Sequence, residues 1–160
     1  MAAEYDMQEL KFLKENPVYA IAPYYMGGYS SVLITEKGKL LSKKSVHEIM
    51  NRFCIMNGST LDGCIRATRE TTSCVKNPPI MLSAKGLYAM QLPSYEYKEA
   101  VWIFNLNILT QKIANGPMKI VFQNNHYVEI DASVEKLQRY LWKLLEMKHL
   151  FNQIAPDYLK

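Results

Sequence analysis

The sequence has little cysteine, little histidine and no long apolar run, and each shortage removes a class of function. Its three cysteines, Cys54, Cys64 and Cys74, stand ten residues apart, so no Cys-x-x-Cys pair occurs. The three histidines, His47, His126 and His149, fall on three separate predicted elements. A zinc site or a redox dithiol is therefore not expected, and neither is any other cofactor. An odd cysteine count and an acidic start without the apolar core of a signal peptide point to a reducing compartment, the cytoplasm. No apolar run approaches the ~18 residues of a membrane helix, so no membrane partner is expected. Glycine-rich phosphate loops, dinucleotide fingerprints and nucleophile elbows are all missing. Gly27–Gly28 reads as a plain turn, because no strand–turn–helix follows it. The carboxylates are scattered, with no pair set up for acid–base work. The chain reads as a binding protein, not an enzyme.

What is present is a chain of 160 residues, the size of one ordinary domain spanning 1–160. Its charge is unevenly spread. Residues 1–36 carry two Lys or Arg against five Asp or Glu, giving −3. Residues 37–85 carry nine against three, giving +6, and residues 86–160 carry eight against seven, giving +1. The nine cations of the middle third run from Lys37 and Lys39 through Lys43, Lys44, Arg52, Arg66 and Arg69 to Lys76 and Lys85. Gathered on one surface they would form the electrostatic footprint of a polyanion site. The alternative is a set of solvated side chains on one hairpin and one helix.

The hydrophobic pattern predicts an α+β fold: an antiparallel sheet with one mid-chain helix and a long C-terminal helix. Residues 4–14 read as a short helix ending before Asn16–Pro17. Val18–Pro23 and Tyr29–Glu36 read as strands, followed by a short strand at Leu40–Ser42. Ser45 and Glu48 form a capping box for a helix whose apolar stripe is Val46, Ile49, Met50 and Phe53, stopped at Asn57–Gly58. Residues 60–78 show no clear period and read as a long irregular polar segment, of the kind that tends to carry function. Further strands are expected at Ile80–Ser83, Leu87–Leu92 and Ala100–Leu106, with Lys85–Gly86 as a turn. Met118–Gln123 and His126–Ile130 read as a hairpin turning at Asn124–Asn125. A helix from Ser133 to Gln153 presents Val134, Leu137, Tyr140, Leu141, Leu144, Leu145 and Phe151 on one face.

Several segments, in order, resemble the competence transcription factor (ComK) family. Asn51–Arg52–Phe53–Cys54 followed by Gly58–Ser59, Gly63 and Thr68 resembles the family's R-x-C-x-x-x-G-S-x-x-x-G block. Lys76–Asn77–Pro78–Pro79–Ile80–Met81 resembles its K-P-P-I segment, and Trp102–Ile103 its W-I pair. Val121–Phe122–Gln123–Asn124–Asn125 resembles its T-F-x-N-G turn, and the run from Ser133 to Gln138 its S-x-x-x-F-x-x-Q helix start. The resemblance implies an activator of late competence genes that binds AT-rich double-stranded DNA, largely through the minor groove. It also implies homodimers or dimers of dimers, with RNA polymerase and proteolytic adaptors as further partners. Three departures stand out. Cys64 and Ile65 lie where family members often carry Arg and Lys, Asn125 replaces the usual turn glycine, and the chain stops at Lys160. Asparagine is tolerated at that turn; the first and third departures motivate a second reading, a ComK-like interaction module or antagonist without DNA binding of its own.

The DNA-contact candidates are led by Arg66 and Arg69, with Thr68, Thr71 and Thr72 available to phosphates. Arg52 and Lys76 follow, although Arg52 can equally pair with Glu48 one turn away. Lys43 and Lys44 read as sequence-neutral phosphate contacts or plain surface. Asn77 reads either as a base-edge contact or as a turn residue before Pro78. Trp102 is expected in the core. Trp142 lies beside the main stripe of the last helix, which suits either an oligomer interface or a broad core.

Overall fold

The computed structural model describes residues 11, 15–74, 76–83, 86–104, 108–112 and 116–154. Strand β1 (Val18–Pro23) pairs antiparallel with β2 (Ser31–Thr35), which pairs with β3 (Gly38–Ser42). Two helices follow, α1 (Val46–Met56) and α2 (Leu61–Thr71), then β4 (Ile80–Ser83), β5 (Leu87–Pro93) and β6 (Ala100–Ile103). These strands build one six-stranded antiparallel sheet in the order β3-β2-β1-β6-β5-β4. A separate three-stranded sheet holds β7 (Ile108–Lys112), β8 (Met118–Phe122) and β9 (Tyr127–Ile130), and helix α3 (Val134–Ile154) closes the fold.

The six-stranded sheet carries a packed apolar layer on each face, which explains why β1 and β2 read as nearly unbroken apolar runs. Successive residues of a strand point to opposite faces. Ile21, Leu33, Ala89 and Trp102 accordingly pack with Val46, Ile49, Met50 and Cys54 of α1 and with Leu61 and Cys64 of α2. Their neighbours Ala20, Ala22, Val32, Ile34, Val101 and Ile103 turn the other way. They meet Ile120, Phe122 and Ile130 of the smaller sheet and Leu137, Tyr140, Leu144 and Met147 of α3.

The α+β class, the capped helix α1, the β8–β9 hairpin and the long last helix match the sequence pattern. Ser45 Oγ accepts from the Glu48 amide at 3.1 Å. Asn125 takes the positive φ of the hairpin turn, at 67°. Trp102 is buried, as expected.

Other expectations need correction. Residues 60–78 are not a loop throughout, because α2 occupies Leu61–Thr71. Its buried positions are Leu61, Cys64 and Thr68, three and four residues apart, but a cysteine and a threonine fill two of them. The helical period is therefore nearly invisible to a hydrophobicity reading. Phe53 is only half buried, and Cys54 takes the core position on α1. Val134 and Leu145 are exposed, so the buried face of α3 runs instead through Leu137, Tyr140, Leu144 and Met147. Strand β7 was not anticipated. Residues 4–14 lie outside the described residues, Lys11 apart, and so does Lys85 of the expected turn.

Candidate nucleic-acid interface

Helices α1 and α2 form a compact pair on one face of the sheet. Thr60 caps α2, its Oγ1 accepting from the Gly63 amide at 3.0 Å. Asn51 Oδ1 of α1 accepts the Leu61 amide at 2.9 Å, joining one helix to the start of the next. The Cys54 and Cys64 side chains pack in one cluster across the seam. Burial first, and the Cys64 thiol second, push Cys54 up to about 12, so it stays protonated at neutral pH. At the far end Thr68 is fully buried, and its hydroxyl donates to the Pro79 carbonyl at 2.7 Å. That bond ties α2 to the chain entering β4.

This seam fixes where the basic side chains of the pair point. Each residue advances ~100° around a helix. On α1, Asn51 and Cys54 face α2, so Arg52 stands on the outer flank. There it lies near Lys44, whose pKa is lowered by burial and then by the Arg52 charge, with Glu48 opposing. On α2, Cys64 faces α1, so Arg66 and Arg69 stand on the opposite flank. The candidates thus fall into two groups.

The first group, Lys43, Lys44 and Arg52, sits where edge strand β3 passes into α1. Ser31 Oγ donates to the Lys44 carbonyl at 2.7 Å and anchors that junction. The second group lies along β4, the other edge of the sheet. Here Lys76 and Arg69 are joined by Lys143 of α3, whose ammonium donates to the Lys76 carbonyl at 3.2 Å. Burial above all pushes the Cys74 thiol up, with Lys143 and Arg69 pulling against it and Glu146 adding to the rise. Five inter-strand spacings separate the two edges, on the order of 24 Å.

The expectation of one surface bearing all nine middle-third cations is narrowed accordingly. Lys37 and Lys39 flank the start of β3, at the other end of that strand from Lys43 and Lys44. Lys39 instead approaches the Tyr127 ring, 5.8 Å from its centroid. Arg66 forms an exposed ion pair with Glu70 at 2.9 Å, one helical turn on. Asn77 adopts a positive φ of 49°, and its amide donates to the Tyr140 hydroxyl at 3.2 Å. The turn role is thus present in the structure, with one amide hydrogen already engaged. Lys143 was missed by the sequence reading, since 67 residues separate it from Lys76 and only tertiary packing joins them.

The remaining candidate, Trp142, is 70% exposed and lies one turn from Leu145, 56% exposed. With Val134 they leave an apolar stripe on the outside of α3. Among the described residues no group of histidines, cysteines and carboxylates could hold a metal, and no helix is long and apolar enough to cross a membrane.

Residues 12–154 match the family model described as ComK protein. No curated protein and no solved structure matches the chain.

Proposed function

Because the chain belongs to the ComK family of competence-related transcription factors, a family of regulators rather than enzymes, we propose that it binds AT-rich promoter DNA and activates transcription. The carrying observation is the pair of cationic groups flanking helices α1 and α2, at the two edges of one sheet. A DNA strand advances ~3.4 Å per nucleotide, so a duplex touching both groups spans about seven steps. The narrow minor groove of AT-rich DNA concentrates negative potential and draws in Arg and Lys. Arg69, Lys76 and Lys143 supply one anchor; Lys43, Lys44 and Arg52 supply the other. Arg66 joins the Arg69 anchor once its exchangeable pair with Glu70 opens. Asn77 acts chiefly by setting the backbone before Pro78.

The chain works as one domain in the cytoplasm and assembles as a dimer or a dimer of dimers. The Trp142–Leu145 stripe of α3 is the interface, since exposed tryptophan is rare outside such surfaces. RNA polymerase and proteolytic adaptors are the further partners of this reading. Fluorescence anisotropy with AT-rich and GC-rich duplexes of equal length tests it. Tighter binding to the AT-rich duplex is expected, and equal affinity for both would overturn it.

A second reading draws on Cys64 and Ile65. Where relatives often carry basic residues, this chain has one buried and one half-buried side chain in the α1–α2 packing. An antagonist that pairs with a DNA-binding relative without gripping DNA itself would look like this. It predicts co-purification with such a relative and no mobility shift on any duplex.

A further inference from the structure

The sheet face opposite α1 and α2 is not fully covered. Between the β2–β3 hairpin and strand β9 runs a groove of about 450 Å³, a size common among ligand sites. Its floor is aliphatic: Ala22, Val32, Ile34 and Val101. One wall is β9 itself, through Tyr127, Val128 and Glu129, and Tyr24 and Tyr97 stand at the rim.

That wall is a sheet edge. β9 pairs with β8 along one side. Along the other side, among the described residues, the ladder begins with the Ser94–Ile130 bridge and goes no further along β9. The Asp131 amide donates to the Pro93 carbonyl at 3.0 Å just beyond it. Among the described residues, therefore, no strand takes up the second edge that the backbone of Tyr127–Glu129 presents to the groove. Such an edge, set beside pockets for alternate side chains, is the arrangement to which extended peptides add as strands.

Charge and ring placement narrow the occupant. Glu96 and Glu129 line the groove against one cation, Lys39. Two lining carboxylates to one lining ammonium disfavour phosphate and favour a basic side chain, while Lys119, opposite Glu129 on β8, lies over the Tyr127 ring. Lys119 stands 4.3 Å and Lys39 5.8 Å from the Tyr127 ring centroid, holding that ring along the wall. From this juxtaposition we infer that the groove takes an extended segment of a partner protein, added to β9 as a fourth strand. The segment carries aliphatic side chains at alternate positions toward the floor and a Lys or Arg between them, facing Glu129. This docking site lies on the sheet face away from α1 and α2, so it stands whether or not the DNA reading holds.

The test is a titration of the full chain with three capped hexapeptides, acetyl-TVKVTV-amide, acetyl-TVEVTV-amide and acetyl-TPKPTV-amide, followed by amide NMR. The lysine peptide should bind and protect the Tyr127 and Glu129 amides, which face away from β8, from exchange. The glutamate peptide should bind more weakly, and the proline peptide, unable to extend the ladder, not at all. Glu129→Lys should weaken the lysine peptide about fivefold and favour the glutamate peptide. Lys39→Glu, at an exposed site, gives the reverse trend and serves if Glu129→Lys does not fold. Absence of binding by the lysine peptide, equal binding by the proline peptide, or indifference to both charge reversals would overturn the inference. So would valine amide producing the same shifts, since that would mark a small-molecule pocket.

Discussion

The two faces of the six-stranded sheet are covered by different means, and the difference separates holding the fold from meeting a partner. One face carries α3 and the smaller sheet over a large apolar cluster that includes Phe122, Ile120 and Ile130. The other carries α1 and α2, two eleven-residue helices joined by the Asn51–Leu61 bond and a cysteine seam. Most of the nominated cations flank this second, slighter layer. Stability is thus concentrated on the α3 face, and charge on the edges of the α1–α2 face.

The strongest way to break this contrast is a pair of aromatic truncations. Phe122 is 2% exposed on the α3 face. Phe122→Ala should cost about 3–5 kcal/mol in denaturant unfolding, as buried phenylalanines do. Phe53, half buried on α1 and edge-on to Phe104 at 5.8 Å, should cost about half as much. Equal losses would show that both layers share the load.

A smaller effect is expected where α2 is fastened to the sheet. Thr68→Val keeps the shape but removes the donor to the Pro79 carbonyl, leaving a buried acceptor at a cost of about 1–3 kcal/mol. Hydrogen exchange should loosen through α2 more than through α3. Uniform loosening would contradict a separate helix layer.

A smaller effect again comes from the seam. Because Cys54 is pushed up to about 12, the folded state keeps its proton where the unfolded chain, its thiol titrating near 9.0, has lost it. The native state then binds more protons, so stability falls as pH rises from about 9 toward 12. Cys54→Ala should flatten that alkaline decline in melting temperature between pH 8 and 11. An unchanged slope would remove the buried thiol from the account.

The same contrast explains what the sequence revealed. Elements whose buried positions are aliphatic or aromatic were legible: β1, β2, the β8–β9 hairpin, α1 and α3. Helix α2 was not, because Cys64 and Thr68 fill its inward positions and Thr68 satisfies its hydroxyl on Pro79. On α3 the inward face shifted because Met147 packs inside while Leu145 stays out, a choice set by what the sheet presents. For the site, the basic residues could be enumerated from the sequence but not grouped. Their division into two edges follows from strand order, and Lys143 enters only because α3 returns beside the segment leading into β4.

The central claim is that both cationic groups contact one duplex. The direct test is the slope of log affinity against log salt on an AT-rich duplex for three chains: wild type, Lys43→Ala/Lys44→Ala, and Arg69→Ala/Lys76→Ala/Lys143→Ala. Each lost phosphate contact should reduce the slope by about 0.9, so the account predicts reductions of about 1.8 and 2.7. Arg66→Ala, already paired with Glu70, should change it less. Wild-type slopes retained by both multiple variants, with melting temperatures unchanged, would contradict it.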